Sequence, residues 1–246
     1  MKNALLHEGH RERLKNRFLS EGLDSFETHN ILELLLFYSI PRKDTNEIAH
    51  ALLDKFGSLS GVFDASFEEL IKVDGVKENT ATLLKLIPQL AQKYVLDDHR
   101  DLEIFDTADK IGRYFRDIFI GETTEVVYVM LLNNRYEKLA VKKVHTGSVN
   151  SAQLSTRAIM NEVIRYNASM VAIAHNHPNG RTTPSSEDID TTNSLTEMLR
   201  QMEVCLIEHF VIANNQYVPI IYNTNSSQKL QERQQTFFED TNFKFM

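Results

Sequence analysis

His175 and His177 stand one residue apart, and Ser185 and Asp188 follow them, in the segment Ala174-His175-Asn176-His177-Pro178-Asn179-Gly180-Arg181-Thr182-Thr183-Pro184-Ser185-Ser186-Glu187-Asp188. Imidazole nitrogens and a carboxylate form a donor set for zinc. Side chains alternate along a strand, so the two histidines would share a face there and could hold one ion at about 2.0–2.1 Å each. Pro178 and Gly180 end the strand in a loop, and a helix begun at Pro184-Ser185 places Asp188 in its first turn, able to swing back to the same ion. Two histidines and one carboxylate leave a fourth tetrahedral position for water, the pattern of a catalytic site. A closed structural site would want thiolates, and the one cysteine, Cys205, lies elsewhere.

Zinc draws the pKa of the water it binds toward about 7, and a nearby carboxylate can then accept and relay the proton. Glu125, at the head of an otherwise apolar strand, is the candidate acid/base, since partial desolvation suits a carboxylate to that work. Glu122, three residues earlier, is its rival. Ser185 could donate a hydrogen bond to a developing oxyanion, and it also suits the N-cap of the following helix. Each residue has a plainer reading. His-x-His alone is more often a polar strand edge; the added Pro-x-Gly, Ser and Asp at this spacing turn the balance toward a metal. Glu125 could be a solvated strand end. Glu208-His209 reads as a hydrogen-bonded pair near the end of the sheet rather than a second ligand set, and His145 and Cys205 read as packing residues.

These residues need elements to position them. Residues 169–175 form a short apolar strand and 185–202 a long helix. Residues 125–132 are β-rich and apolar on both faces, as in a central strand, with a hairpin partner over 139–144 across Asn133-Asn134-Arg135. Helices are predicted over 107–119 and 155–167, and further strands near 204–213 and 217–222. The segment is therefore a mixed α/β domain. Ahead of residue 100 nearly everything reads as short helices, over 9–20, 28–38, 44–57, 66–73 and 79–95; Pro41 breaks the second, and Asp44 or Thr45 caps the third. The predicted organisation is a helical domain over 1–96, a linker over 97–104, the α/β domain over 105–222, and a polar tail over 223–246.

Composition narrows the setting. Of 246 residues, 42% are apolar and 25% charged, ordinary for a globular protein. No apolar run approaches the length of about 18 residues that suggests a membrane span; the densest, Ile31 to Ile40, is interrupted by Glu33. The N-terminus turns charged too early for a secretory signal, and one cysteine permits no intramolecular disulfide, so a cytoplasmic protein is expected. The net charge of −7 opposes non-specific nucleic-acid binding, which is mainly phosphate neutralisation. Basic clusters are local: Arg11, Arg13, Lys15 and Arg17 on one predicted helix, and Arg42-Lys43.

His-x-His, seven residues, Ser, two residues, Asp resembles the JAMM signature of MPN+ metalloproteases, and His175, His177, Ser185 and Asp188 match it in order and spacing. Glu125-Val126 at the start of an apolar strand resembles that family's catalytic glutamate position. AHNHPNG…TPSSED resembles the RadC branch of bacterial JAB-domain proteins more closely, as do GHRERLKNRF, LELLLFYSIPRKDTNEIAHALL and FGSLSGVFDAS, so the likeness covers roughly residues 7 to 222. It implies a cytidine-deaminase-like MPN core behind a small helical domain, zinc held by His175, His177 and Asp188, and hydrolysis of peptide or isopeptide bonds. Three positions depart from the pattern. Asn179 stands where serine is common, and Glu208-His209 where Asp-His is common. Leu70 to Lys77 resembles a helix-hairpin-helix, but Lys77 takes the place of its second glycine, which normally lets backbone amides approach a DNA phosphate.

Two classes of function follow. The first is a zinc-dependent amide hydrolase acting on a protein or peptide, with a helical domain that recruits it to DNA or protein. The second is a DNA-associated repair or recombination accessory protein whose metal site is structural or vestigial. A zinc nuclease fits less well, since phosphodiester sites usually pair metals or add basic clamps and the motif offers Arg181 alone. No membrane partner is expected.

Overall fold

A computed structural model describes residues 2–98, 104–147, 152–178 and 180–221. Asn179, the polar tail and the middle of the predicted linker lie outside the described residues. The chain divides into two units, Met1–Ala91 and Gln92–Met246.

The first unit holds α1 (Lys2–Glu21), α2 (Thr28–Leu36), α3 (Asn46–Phe56), α4 (Leu59–Asp64), α5 (Phe67–Leu70) and the start of α6 (Glu78–Asp98), of which α4 is not among the predicted helices. α2 stops two residues short of the predicted end, because the amides of Ser39 and Ile40 both turn back to the Leu36 carbonyl ahead of Pro41. α4 follows from its cap: the Ser58 hydroxyl accepts from the Gly61 amide at 3.0 Å. Leu32, Leu36, Leu52, Leu70 and Leu84 make its core. The hairpin glycine, Gly75, has a φ of +83°, and a Cβ there would stand 2.6 Å from the Ile48 side chain, so this turn is pressed against α3. α6 carries Pro88 and continues through Asp98, into the stretch read from sequence as a linker.

The second unit holds α7 (Ala108–Ile118), β1 (Val126–Leu132), β2 (Lys138–Thr146), α8 (Ala152–Tyr166), β3 (Met170–Asn176), α9 (Ser186–Gln201), β4 (Cys205–Ala213) and β5 (Gln216–Pro219). The strands form one sheet in the order β2-β1-β3-β4-β5. β3 and β4 are parallel and every other neighbouring pair is antiparallel, so this is the mixed α/β fold the patterning implies. β1, β3 and β4 are buried on both faces, which explains their unbroken apolar runs. One face packs Val126, Tyr128, Met130 and Phe210 under α7. The other packs Val127, Val129 and Ile173 under α8 and α9, through Ile159, Val163, Leu195 and Leu199. Alternation along each strand therefore assigns every side chain to the α7 face or to the α8–α9 face.

Candidate metal centre

β3 delivers both histidines. His175 pairs with Val127 of β1 on one side and Val211 of β4 on the other. His177 lies just past the strand, yet its amide still donates to the Ile212 carbonyl at 2.9 Å, so the alternation continues and both rings reach the α8–α9 face. Their Nε2 atoms are 3.0 Å apart. His177 Nδ1 sits 2.8 Å from the Arg181 carbonyl oxygen, which can only accept. Nδ1 therefore donates to that carbonyl, and Nε2 turns toward His175 and Asp188. The loop that makes this contact is held from the β4–β5 turn, where Asn214 Nδ2 donates to the Gly180 carbonyl at 2.8 Å.

α9 delivers the carboxylate through its cap. The Ser185 amide and hydroxyl both donate to Asp188 Oδ2 at 2.7 Å, and the Ser185 oxygen accepts from the Asp188 amide at 3.1 Å. This capping box ties down one carboxylate oxygen and leaves Oδ1 facing His175 Nε2 at 3.0 Å. Oδ2 lies 3.5 Å from His177 Nε2. Burial alone would raise the Asp188 carboxyl, but hydrogen bonding and charge from His175, with both Ser185 donors, hold it well below the ordinary carboxylate range. One ligand atom from each of His175, His177 and Asp188 lies within 4.8 Å of the others, and among the described residues no further His, Cys, Asp or Glu joins them. Buried acceptors converging on one point are stabilised by a cation, and two imidazoles with one carboxylate suit zinc.

Behind His175 stands His209 of β4. Its Nε2 lies 2.9 Å from His175 Nδ1, and its Nδ1 lies 2.7 Å from the Thr192 hydroxyl of α9. Thr192 in turn donates to the Asp188 carbonyl at 2.6 Å. Burial, followed by the neighbouring His175, pushes the His209 imidazole well below its ordinary value. Its sequence neighbour Glu208 turns elsewhere and accepts from the amides of His209 and Ile221, each at 2.8 Å. The two are thus joined through a backbone amide, and only the histidine reaches the metal group.

Glu125 lies immediately before β1. The Gly147 amide donates to its carbonyl at 2.8 Å, so the β1–β2 ladder extends to it. Val126 belongs to the α7 face and Val127 to the other, which places Glu125 on the face of His175. Extending the antiparallel register one step at a time beyond Val127 and His175 sets Glu125 opposite His177. Between them Asn176 bridges the strands: its side-chain oxygen accepts from the Val126 amide at 2.7 Å and its nitrogen donates to the Thr124 carbonyl at 2.9 Å. Both chain neighbours of Glu125 are thereby fixed to the residue between the two histidines. Glu122 is engaged on the opposite face, by the Tyr128 hydroxyl at 2.8 Å and Lys143 Nζ at 2.5 Å. A cavity of about 450 Å³ adjoins His177 and Pro178, walled by Phe119, Ile212 and Arg116.

Comparison with known proteins decides the ancestry of this arrangement. Residues 105–225 match the family model of the RadC-like JAB domain. The UPF0758 protein FN0909 of Fusobacterium nucleatum subsp. nucleatum is 38% identical over 218 residues, which cover 86% of this chain and 94% of that protein. The chain belongs to the RadC family. Its RadC segment contains all of the convergent residues, His175, His177 and Asp188, and JAB domains include metalloenzymes.

Sequence reasoning about this RadC chain missed Thr192 and Asn176, and it paired His209 with Glu208 without placing its ring against His175. Asn176 had one signal, an amide between two histidines that alternation sets on the opposite face. His145 and Cys205 stand apart from the ligand group: His145 Nε2 lies 3.1 Å from the Gly147 carbonyl, and Cys205 is buried. Among the described residues no helix is long and apolar enough to cross a membrane.

Proposed function

We propose that this RadC protein is a zinc-dependent hydrolase of amide or isopeptide bonds in a protein or peptide substrate. The observation that carries the reading is the convergence of two histidines and one aspartate on a single point, at the end of the central strand β3, where the register sets Glu125 on the same face. Zinc, when bound, supplies Lewis acidity toward water and a carbonyl. His175, His177 and Asp188 would hold it, and the Ser185 capping box occupies Asp188 Oδ2 while Oδ1 faces His175 Nε2. Glu125 takes the proton on its carboxylate and hands it to the departing nitrogen. In the resting site the Ser185 hydroxyl proton is directed to Asp188, so its second role, donation to a developing oxyanion, requires that proton to turn toward the substrate.

Glu125→Gln keeps the shape and removes the proton carrier. The test incubates zinc-loaded wild-type and variant protein with peptide and isopeptide libraries and counts new amino termini and freed lysine amines by mass spectrometry. Wild type should produce them, and the variant should lose turnover by about 100- to 10,000-fold while keeping one zinc per chain. Undiminished cleavage by the variant would remove Glu125 from its role. A wild-type protein that cleaves nothing but binds branched DNA in a strongly salt-dependent manner would favour the DNA-associated accessory reading instead.

A further inference from the structure

We propose that the helical unit binds single-stranded nucleic acid at a surface centred on Tyr38. Every residue of this surface belongs to that unit, so the inference goes beyond the hydrolase reading and does not depend on it.

The basic residues of α1 and the pair Arg42-Lys43 are separate in sequence, and the fold joins them. Terminal nitrogens of Arg11 donate to the carbonyls of Pro41, Ile40 and Lys43 at 3.0, 2.7 and 2.5 Å. The same guanidinium lies 4.7 Å from the centre of the Phe37 ring. One turn further along α1, Lys15 sets its Nζ 5.8 Å from the centre of the Tyr38 ring. Arg11 thus fastens α1 along residues 37–43 and brings Lys15 beside the exposed Arg42 and Lys43. In residues 11–15 and 37–44 the cations Arg11, Arg13, Lys15, Arg42 and Lys43 outnumber the carboxylates Glu12 and Asp44. This local balance is opposite in sign to the whole chain and suits a polyanion.

Tyr38 gives the surface its selectivity. It is 71% exposed, although Phe37 and Ile40 beside it are buried. Its ring lines a groove of about 380 Å³ with Ser39 and, from α6, Asn79, Thr82, Leu83 and Leu86. A nucleobase has apolar faces and a polar edge. Tyr38 supplies a stacking platform, the two leucines supply apolar contact, and Ser39, Asn79 and Thr82 can hydrogen-bond to the edge. Lys15, Arg42 and Lys43 then meet the phosphates. The bases of a duplex are held inside its stack and cannot enter the groove, so the fit is to a single strand.

The test measures fluorescence anisotropy of labelled dT12 and rU12 with the full chain across a salt series, beside a 12-base-pair duplex and a 12-residue polyglutamate. A single strand, of DNA, RNA or both, should bind more tightly than either control. Tyr38→Ala should weaken that binding by roughly 5- to 150-fold, the loss expected when one base is unstacked. Tyr38→Phe, which retains the ring, should bind like wild type. Lys15→Gln and Lys43→Gln should each lower the slope of log affinity against log salt by about 0.7. All four positions of change are on the surface, and circular dichroism checks that each variant is folded. No binding of either strand at low salt would overturn the proposal, as would duplex or polyglutamate bound as tightly as the single strand. Tyr38→Ala that binds like wild type, with the loss falling on Lys77→Ala instead, would move the contact to the hairpin and overturn it too.

Discussion

Asn176 is a buried amide at the end of β3, between two histidines that point the other way. It is 6% exposed and hydrogen-bonds on both sides of Glu125, so its cost in the strand is offset by what it holds. Asn176→Ala should leave zinc stoichiometry intact, because no ligand is removed, while turnover falls as Glu125 loses its register. It should also cost about 1–3 kcal/mol of stability by stranding the Val126 amide and the Thr124 carbonyl. Chemical denaturation beside metal analysis checks both, and loss of zinc instead would place Asn176 with the ligands. His209 gives a second prediction. Its folded-state pKa is depressed below the ordinary imidazole value of about 6.5. As pH falls below that value the unfolded chain takes a proton and the folded chain does not. The stabilising contribution is therefore full above about pH 7 and is lost progressively on acidification, by at most about 1.4 kcal/mol per pH unit. Urea midpoints of the metal-free protein should fall between pH 7.5 and 5.5 more steeply for wild type than for His209→Phe. Parallel slopes would contradict it.

At the scale of elements, α9 joins the fold to the chemistry, since the capping box that starts the helix also aims Asp188. Ser185→Ala should cost about 1 kcal/mol of stability and weaken zinc binding in the same variant; thermal unfolding with and without zinc measures the two together, and a stability loss with unchanged zinc affinity would separate them. This element was legible in the sequence, because Pro184-Ser185-Ser186-Glu187-Asp188 carries a local start signal that no tertiary contact has to supply. β3 was legible for a similar reason, as alternation puts His175 and His177 on one face without knowledge of the neighbours. β4 was not. Strict alternation would send His209 to the α7 face with Cys205 and Ile207, both of which pack there. A register shift pairs Val171 with Leu206 but Ala172 with Glu208, so Ile207 is the extra residue and His209 is turned toward His175. A bulge of this kind depends on the partner strand and leaves no period in the sequence. α4 was missed for a smaller reason: a six-residue helix is too short to show a period, and only its Ser58 cap marks it.

At the scale of the whole molecule, the chain combines a helical unit with an α/β unit that contains every residue of the metal group. The net charge of −7 leaves any nucleic-acid contact to local basic residues such as Lys77, which is exposed at the hairpin beyond Gly75. Recruitment to DNA or protein by the helical unit remains a proposal that goes with the hydrolase reading. The hydrolase itself depends on one ion with three protein ligands and an open position. X-ray absorption on zinc-loaded protein tests this directly. One zinc per chain with two imidazole nitrogens and two oxygens at about 2.0–2.2 Å, lost in His177→Ala, is the predicted result. Protein that retains no zinc, or a shell closed by a fourth protein ligand, would contradict it.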